Sequence, residues 1–286
     1  MKIIENTTFD AERSLYGSDG VTVKNCRFSG PADGESALKE SRNVVISDCD
    51  FDLRYPFWHD TNVVANNVYL SELCRAAIWY TDGMEIHNSR LHGIKALREC
   101  KHVKLFGCDV ISPEFGWRTH DIKINDTTLA GEYVFLQCTD MDIDGLSLKG
   151  KYSFQYVENA VIRNSVLDTK DAFWHAKNVT VYDSVIKGEY LAWYSENLRL
   201  VRCKIIGTQP LCYCKGLVLE DCTTESCDLA FELSEVEATV RGSIISIYNP
   251  LSGSITVDEC GEIIKDRYAP PNGSCRITVA REKLPT

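Results

Sequence analysis

Arg98, Glu99, Arg118 and Gln137 interrupt a row of aromatic residues, and this is where the sequence could carry chemistry. The row steps by 19 residues from Tyr80 through Glu99, Arg118, Gln137, Tyr156, His175, Tyr194 and Tyr213 to Glu232, with His59 ahead of it. A second row lies one residue earlier: Trp58, Trp79, Arg98, Trp117, Leu136, Gln155, Trp174, Trp193, Cys212 and Phe231. Four residues before the first row stand Tyr55, Lys95, Glu114, Tyr133, Tyr152, Asp171 and Tyr190. Aromatic rings beside a few charged groups suit a saccharide, with the charges as the reaction point and the rings as flanking subsites.

Two reactions fit such a set. Glycoside hydrolysis needs two carboxylates, ~5–5.5 Å apart for retention or ~6.5–9.5 Å for inversion. Glu99 has Glu114 and Asp171 as its nearest outward acids, and strand geometry puts Glu99 and Glu114 ~14 Å apart, too far unless their side chains converge. In β-elimination or epimerisation of a uronic acid, arginines neutralise the carboxylate while a base takes the adjacent proton. Arg98 and Arg118 suit the first task, and Glu99, Tyr156 or His175 the second. His175 lies three steps from Arg118, ~14 Å by the same geometry, so it belongs to another subsite. Glu99, Arg118 and Arg98 are therefore the expected catalytic residues. Tyr80, Trp117, Tyr133, Gln137, Tyr156, His175 and Tyr194 are the expected substrate-binding residues. The bland account is equally physical: rings stack across strands without a ligand, and Glu99 pairs with Arg118.

These rows exist because the whole chain repeats. The segments KDAFWHAKNVTVYDSVIKG and EYLAWYSENLRLVRCKIIG, residues 170–188 and 189–207, align position for position. Anchor residues continue the pattern at Lys2, Val21, Val44, Val63, Met84, Val103, Ile122, Met141, Ala160, Val179, Leu198, Leu217, Val236 and Ile255. The step is 19 except for four extra residues after Val21, in GPADGES, and two after Val63, near SELCRA. A period of this kind marks a solenoid, whose repeats bury their apolar faces only against one another.

Within a repeat, apolar and polar residues alternate, as in Val179-Thr180-Val181-Tyr182, and this is strand periodicity. A turn residue follows: Asn25, Asp48, Asn67, Asn88, Asp126, Asn164, Asp183 or Asp221, types that tolerate a left-handed bend. A second short strand brings Phe28, Phe51, Leu70 or Leu91 inward, and a third carries the aromatics. On that third strand, Cys100, Thr119, Cys138, Ala176 and Ser195 should point inward, as should Phe57, Leu97, Phe135, Phe154, Phe173 and Leu211. The tryptophan row is outward if a bulge intervenes and inward if alternation is strict.

The expected fold is all-β: a right-handed parallel β-helix of about 13 coils of 19 residues. It forms one domain, with coils over 1–242 and last irregular coils plus a C-terminal cap over 243–286. NVVISDCDF, NVVANNVYL, NAVIRNSVL, NVTVYDSVI and NLRLVRCKI resemble coils of the right-handed parallel β-helix superfamily that includes pectin and pectate lyases. The chain also resembles a bacterial family of this length within it, a resemblance that implies no established activity. The superfamily resemblance covers roughly residues 1–260 and concerns the scaffold. It implies a carbohydrate-active enzyme: a glycoside hydrolase, lyase or epimerase. The adjacent Asp pair, GHG and RIK of polygalacturonase-like members are missing, so no catalytic residue carries over. The alternative is a non-catalytic carbohydrate-binding or protein-interaction scaffold.

Composition narrows the partners. A net charge of -10 and a pI near 5.2 argue against nucleic acid and anionic membranes, and no apolar run is long enough to span a bilayer. The thirteen cysteines are an odd number, and MKIIENTTFDAERSL lacks a leader's apolar core, which together point to reduced thiols in a cytoplasm. Cys212, Cys214, Cys222 and Cys227 do not have the spacing of paired zinc knuckles, and alternation would send the first two to opposite faces. No metal and no cofactor are expected. An oligo- or polysaccharide is the expected partner.

Overall fold

Alternation along the first strand of each coil sends every second side chain inward. Val44 and Ile46, Val63 and Ala65, and Val103 and Leu105 are buried, while the residues between them are partly or fully exposed. The computed structural model describes residues 2–30 and 36–280. Contacts divide the chain into two compact units, Met1–Ser147 and Leu148–Thr286, each a parallel β-solenoid. Together they hold about 14 turns at about 19-residue spacing, and the described residues include no helix.

In the first unit, Arg42–Ser47, Thr61–Asn66, Asp82–His87 and Lys101–Phe106 pair in parallel. The anchors stay in register as Val44↔Val63, Val63↔Met84, Met84↔Val103 and Val103↔Ile122. The two extra residues near SELCRA are therefore absorbed in a loop. Most of the GPADGES insertion, 31–35, lies outside the described residues.

In the second unit, Glu158–Arg163, Lys177–Tyr182 and Glu196–Val201 continue the same pairing, with Ala160↔Val179 and Val179↔Leu198. Beyond 242 the offset changes but the ladder goes on. Val236 pairs with Gly253 and Ala238 with Ile255, so the 19-residue count misplaces the Ile255 anchor by two positions. Ile255 in turn pairs with Ile277, in Arg276–Val279. Residues 281–286 of the tail lie outside the described residues.

The turns follow from residue type. Asn25, Asp48, Asn67 and Asn88 have φ of 50°, 54°, 51° and 48°, and Asn164 and Asp183 have 49° and 47°. Side-chain amides form ladders along this edge, as in Asn67 Nδ2 to Asp48 Oδ1 at 2.8 Å, and along the edge just before the anchors, as in Asn197 Nδ2 to Asn178 Oδ1 at 3.0 Å. Inside, phenylalanines stack coil on coil: Phe28 on Phe51 at 4.5 Å, and Phe154 on Phe173 at 4.9 Å. Each contributes roughly 2–3 kcal/mol by leaving water. All thirteen cysteines are free thiols, and eleven are buried. Cys212 and Cys214 are both buried rather than on opposite faces.

That last difference arises because the third strand does not alternate. Tyr152, Phe154 and Tyr156 have φ of 60°, 59° and 56°, and Asp171, Phe173 and His175 have 53°, 59° and 54°. Left-handed residues at alternate positions turn side chains two out, then two in: Trp174 and His175 are partly exposed, while Ala172 and Phe173 are buried. Cross-coil hydrogen bonds hold this backbone, among them Tyr156 N to Trp174 O at 2.8 Å and His175 N to Trp193 O at 3.0 Å. The tryptophan row therefore lies at the surface rim, half-buried. In the first unit the same face forms two-residue strands, Phe57–Trp58, Ile78–Trp79 and Leu97–Arg98, between left-handed residues at Tyr55 and His59, Ala76 and Tyr80, and Lys95 and Glu99.

Candidate functional site

On the third face of the first unit, the charged residues close on one another. Arg98 replaces a tryptophan in its row, and its guanidinium lies 5.1 Å from the Trp79 ring and 4.5 Å from the Trp117 ring. Its side chain is 11% exposed, and one nitrogen reaches Glu114 Oε2 at 3.4 Å, which Lys95 also meets at 3.4 Å. Desolvation, then the neighbouring Arg118, lowers the Arg98 pKa, as expected of a cation sandwiched between indoles. Arg118 donates from Nε to Glu99 Oε1 at 2.6 Å and from a terminal nitrogen to the same oxygen. That hydrogen-bonded pairing raises the Arg118 pKa.

Arg98, Glu99, Arg118 and Trp117 are thus brought together, as the sequence suggested, in a set whose opposite charges pair while Arg98 Nε stays buried without a hydrogen-bond partner. Tyr80 stacks on His59 at 5.0 Å beside Trp79. Tyr133 and Gln137 are exposed in the same unit.

Tyr156, His175 and Tyr194 belong to the second unit, where they form a ladder with Tyr213. Successive centroids are 4.9, 5.1 and 4.9 Å apart and successive planes differ by 7°, 10° and 12°. Rings stacked in this way turn their faces to each other and present edges, with the tyrosine hydroxyls, to solvent.

Beside that ladder the second unit has an open cleft of about 490 Å³. Trp174 and Trp193 form one wall, parallel within 2° at 5.5 Å, and Tyr152 and Tyr190 line it as well. Both indole N–H groups are already used: Trp174 donates to Tyr190 O at 2.7 Å and Trp193 to Gln209 O at 2.8 Å. Lys170, Asp171 and Gln209 supply the polar lining. Lys170 pairs with Glu189 at 2.8 Å, and its Nζ lies 5.2 Å from the Tyr190 ring centroid.

Asp171, expected outward, is only 5% exposed. The row is left-handed throughout and outward at Tyr152 and Tyr190, so it is the short side chain, between those two longer ones, that leaves Asp171 covered; its own N–H donates to Glu189 O at 2.9 Å. Burial raises its pKa; Lys170 opposes the shift and Glu189 adds to it.

None of the cleft residues was among the expected site residues. Their rows were visible, but the cleft forms only because the rows five and eight before the anchor lie side by side on this backbone. Among the described residues no group of His, Cys, Asp and Glu could hold a metal ion, and no helix is long and apolar enough to cross a membrane.

Against known proteins, a family model described as "Protein of unknown function (DUF3737)" matches residues 2–278. Curated proteins give no match. Among solved structures, the Azotobacter vinelandii mannuronan C-5 epimerase AlgE4 A-module is similar at 12% identity and a TM-score of 0.28, over 84% of this chain and 81% of that one. The Dettilon tailspike protein is similar at 9% identity and a TM-score of 0.36, over 97% of this chain and 62% of that one. At such scores neither carries an argument about activity.

Proposed function

We propose a function for this chain, which belongs to the DUF3737 family of proteins of unknown function: it binds a saccharide in the third-face cleft of the second unit. One observation carries this reading. The cleft joins four aromatic side chains to Lys170, Asp171 and Gln209, the mixture of apolar wall and few convergent polar groups that marks a ligand site. Tyrosine hydroxyls and the Gln209 amide offer hydrogen bonds to a polyhydroxylated ligand, and the open form suits a chain longer than one sugar. Glycoside hydrolysis, lyase chemistry or epimerisation is the enzymatic form of the proposal. Glu99 and Arg118 enter such chemistry only by leaving each other. Ring faces already spent on one another favour the second reading, a non-catalytic carbohydrate-binding or protein-interaction scaffold. Thirteen free thiols are the reason to propose the cytoplasm as its compartment.

The test is calorimetric titration with neutral and acidic oligosaccharides, followed by product analysis. Gln209→Ala should weaken binding, and the Glu99→Gln/Arg118→Ala double variant should keep it. Binding lost in the double variant at an unchanged melting temperature would move the site to the first unit. Silence toward every saccharide would end the proposal.

A further inference from the structure

The second unit contains a carboxyl group without a partner, and its position selects among saccharides. Asp171 is 5% exposed and lines the cleft. No hydrogen bond from a described residue reaches its carboxyl oxygens; only charge acts on it, attraction from Lys170 and repulsion from Glu189. Lys170 does not fill the gap, because its Nζ donates to Glu189 at 2.8 Å and lies 5.2 Å from the Tyr190 ring centroid. The main chain fixes the residue, with φ of 53° and its N–H bonded to Glu189 O at 2.9 Å. The carboxyl oxygens are not among the fully buried unpartnered atoms, so they open to the cleft, and the charge there is only partly hydrated, which costs free energy.

The ligand is what completes it. We infer that the cleft takes a saccharide bearing an ammonium group, an amino sugar, with the ammonium donating to Asp171 and the sugar body lying along Tyr152, Trp174, Tyr190 and Trp193. This rests on the saccharide reading of the cleft given above. A uronate would bring a third negative charge beside Asp171 and Glu189. A neutral sugar hydroxyl supplies a hydrogen bond but leaves the carboxylate's charge uncompensated in a desolvated place. An ammonium supplies both, as a charge-assisted hydrogen bond. The walls agree: both indole N–H groups are spent on main-chain oxygens, so the tryptophans offer an anion no donor. Aromatic electron density tolerates a cation instead. The net charge of -10 draws cations toward the protein at long range as well.

Asp60 in the first unit shows why burial alone would be insufficient. It is 1% exposed and accepts from the Ser41 N–H at 2.8 Å, so no ligand reaches it. Asp171 differs in being reachable.

The experiment titrates the full chain with four probes at several pH values from mildly acidic to neutral, because the ligand's amino groups must keep their protons while Asp171, its pKa raised by burial, must have lost its own. They are a glucosamine tetramer, an N-acetylglucosamine tetramer, a galacturonate tetramer and n-butylammonium. The glucosamine tetramer should bind about tenfold or more tighter than either other tetramer, the difference that one charge-assisted hydrogen bond supplies. Asp171→Asn, at an unchanged melting temperature, should erase that preference. Equal or tighter binding of the acetylated or uronate tetramer overturns the ammonium inference and leaves the saccharide reading standing. Binding of n-butylammonium alone, lost in Asp171→Asn, supports the cation site and overturns its saccharide reading. No binding by any probe overturns both. The wild-type ranking decides the matter even if the variant does not fold.

Discussion

Each unit buries one carboxyl on its third face, and the two are put to opposite uses. Asp60 stands in an inward row with Ser41, Thr81, Cys100 and Thr119, closed on all sides; one oxygen takes the Ser41 N–H and the other has no partner. Asp171 stands in an outward row, a short side chain between Tyr152 and Tyr190 at the cleft, where a ligand can reach it. Desolvation raises the pKa of both. The backbone separates their fates. Around Asp60 the face carries two-residue parallel strands between left-handed residues such as Tyr55 and His59, and the middle residue, Phe57, is extended. Around Asp171 the middle residue, Phe173, is left-handed as well, side chains leave in pairs, and a cleft opens between rows. A sealed buried acid becomes a term in stability, and an accessible one becomes a site.

The largest effect should come from testing the sealed member. Burial, with repulsion from Glu40, pushes Asp60 up to about 8 against the Ser41 hydrogen bond. The native state therefore keeps a proton that the unfolded chain releases near pH 4. Stability is fully present below about pH 4 and is lost as pH rises to about 8, by something on the order of 5 kcal/mol at most. Asp60→Asn removes the titration. It should melt close to the wild type at pH 4–5 and well above it at pH 8–9. Parallel pH profiles for the two proteins would mean that Asp60 is ionised in the fold and that the two carboxyls do not differ as described.

Next in size is the backbone change itself. Six residues before the anchor, Phe57, Ile78 and Leu97 are in extended strands; Gly116 then has φ of 81°, and Phe135 has 60°. Gly116 is where the first unit leaves the plain sheet. A Cβ there would lie 2.6 Å from Phe135 Cδ1, and that ring is fully buried with nowhere to move. Gly116→Ala should cost about 2–3 kcal/mol in denaturant unfolding, strain and overlap combined. Gly17→Ala, with φ of 65° and nothing within 4 Å, should cost about 1 kcal/mol. Equal losses would show that the Gly116 backbone can relax, and with it the contrast between the two kinds of third face.

The repeat, the inward rows and the turns were all legible, and for one reason. Asn25, Asp48 and Asn67 are residue types that accept a left-handed φ, so the bend is written in the residue itself. Tyr152, Phe154 and Phe173 are not such signals. They are held left-handed by bonds between coils, such as Tyr152 N to Lys170 O at 2.7 Å, and no local propensity reports that. Strict alternation therefore gave the wrong side for one of Cys212 and Cys214, left the tryptophan row undecided, and could not report that Asp171, in an outward row, is covered. The charged cluster was visible because its members share a row or adjoin it. The cleft was not, because it lies between two rows that only the kinked backbone sets side by side.

The smallest expected effect concerns the residues that looked most like chemistry. Glu99 and Arg118 are joined by a hydrogen bond of 2.6 Å, yet their side chains are 23% and 39% exposed. Water screens a pair in that position, and a double-mutant cycle through Glu99→Gln and Arg118→Met should give a coupling of about 0.5–1 kcal/mol. Saccharide binding in the second unit should not change. The contrast sharpens if both hold: the first unit's charges only fasten neighbouring coils, while the second unit's unpaired acid waits for a ligand. It breaks if the coupling is negligible and the double variant also loses binding. Glu99 and Arg118 would then be held together in the free protein in order to be separated by substrate, and the reactive centre would belong to the first unit after all.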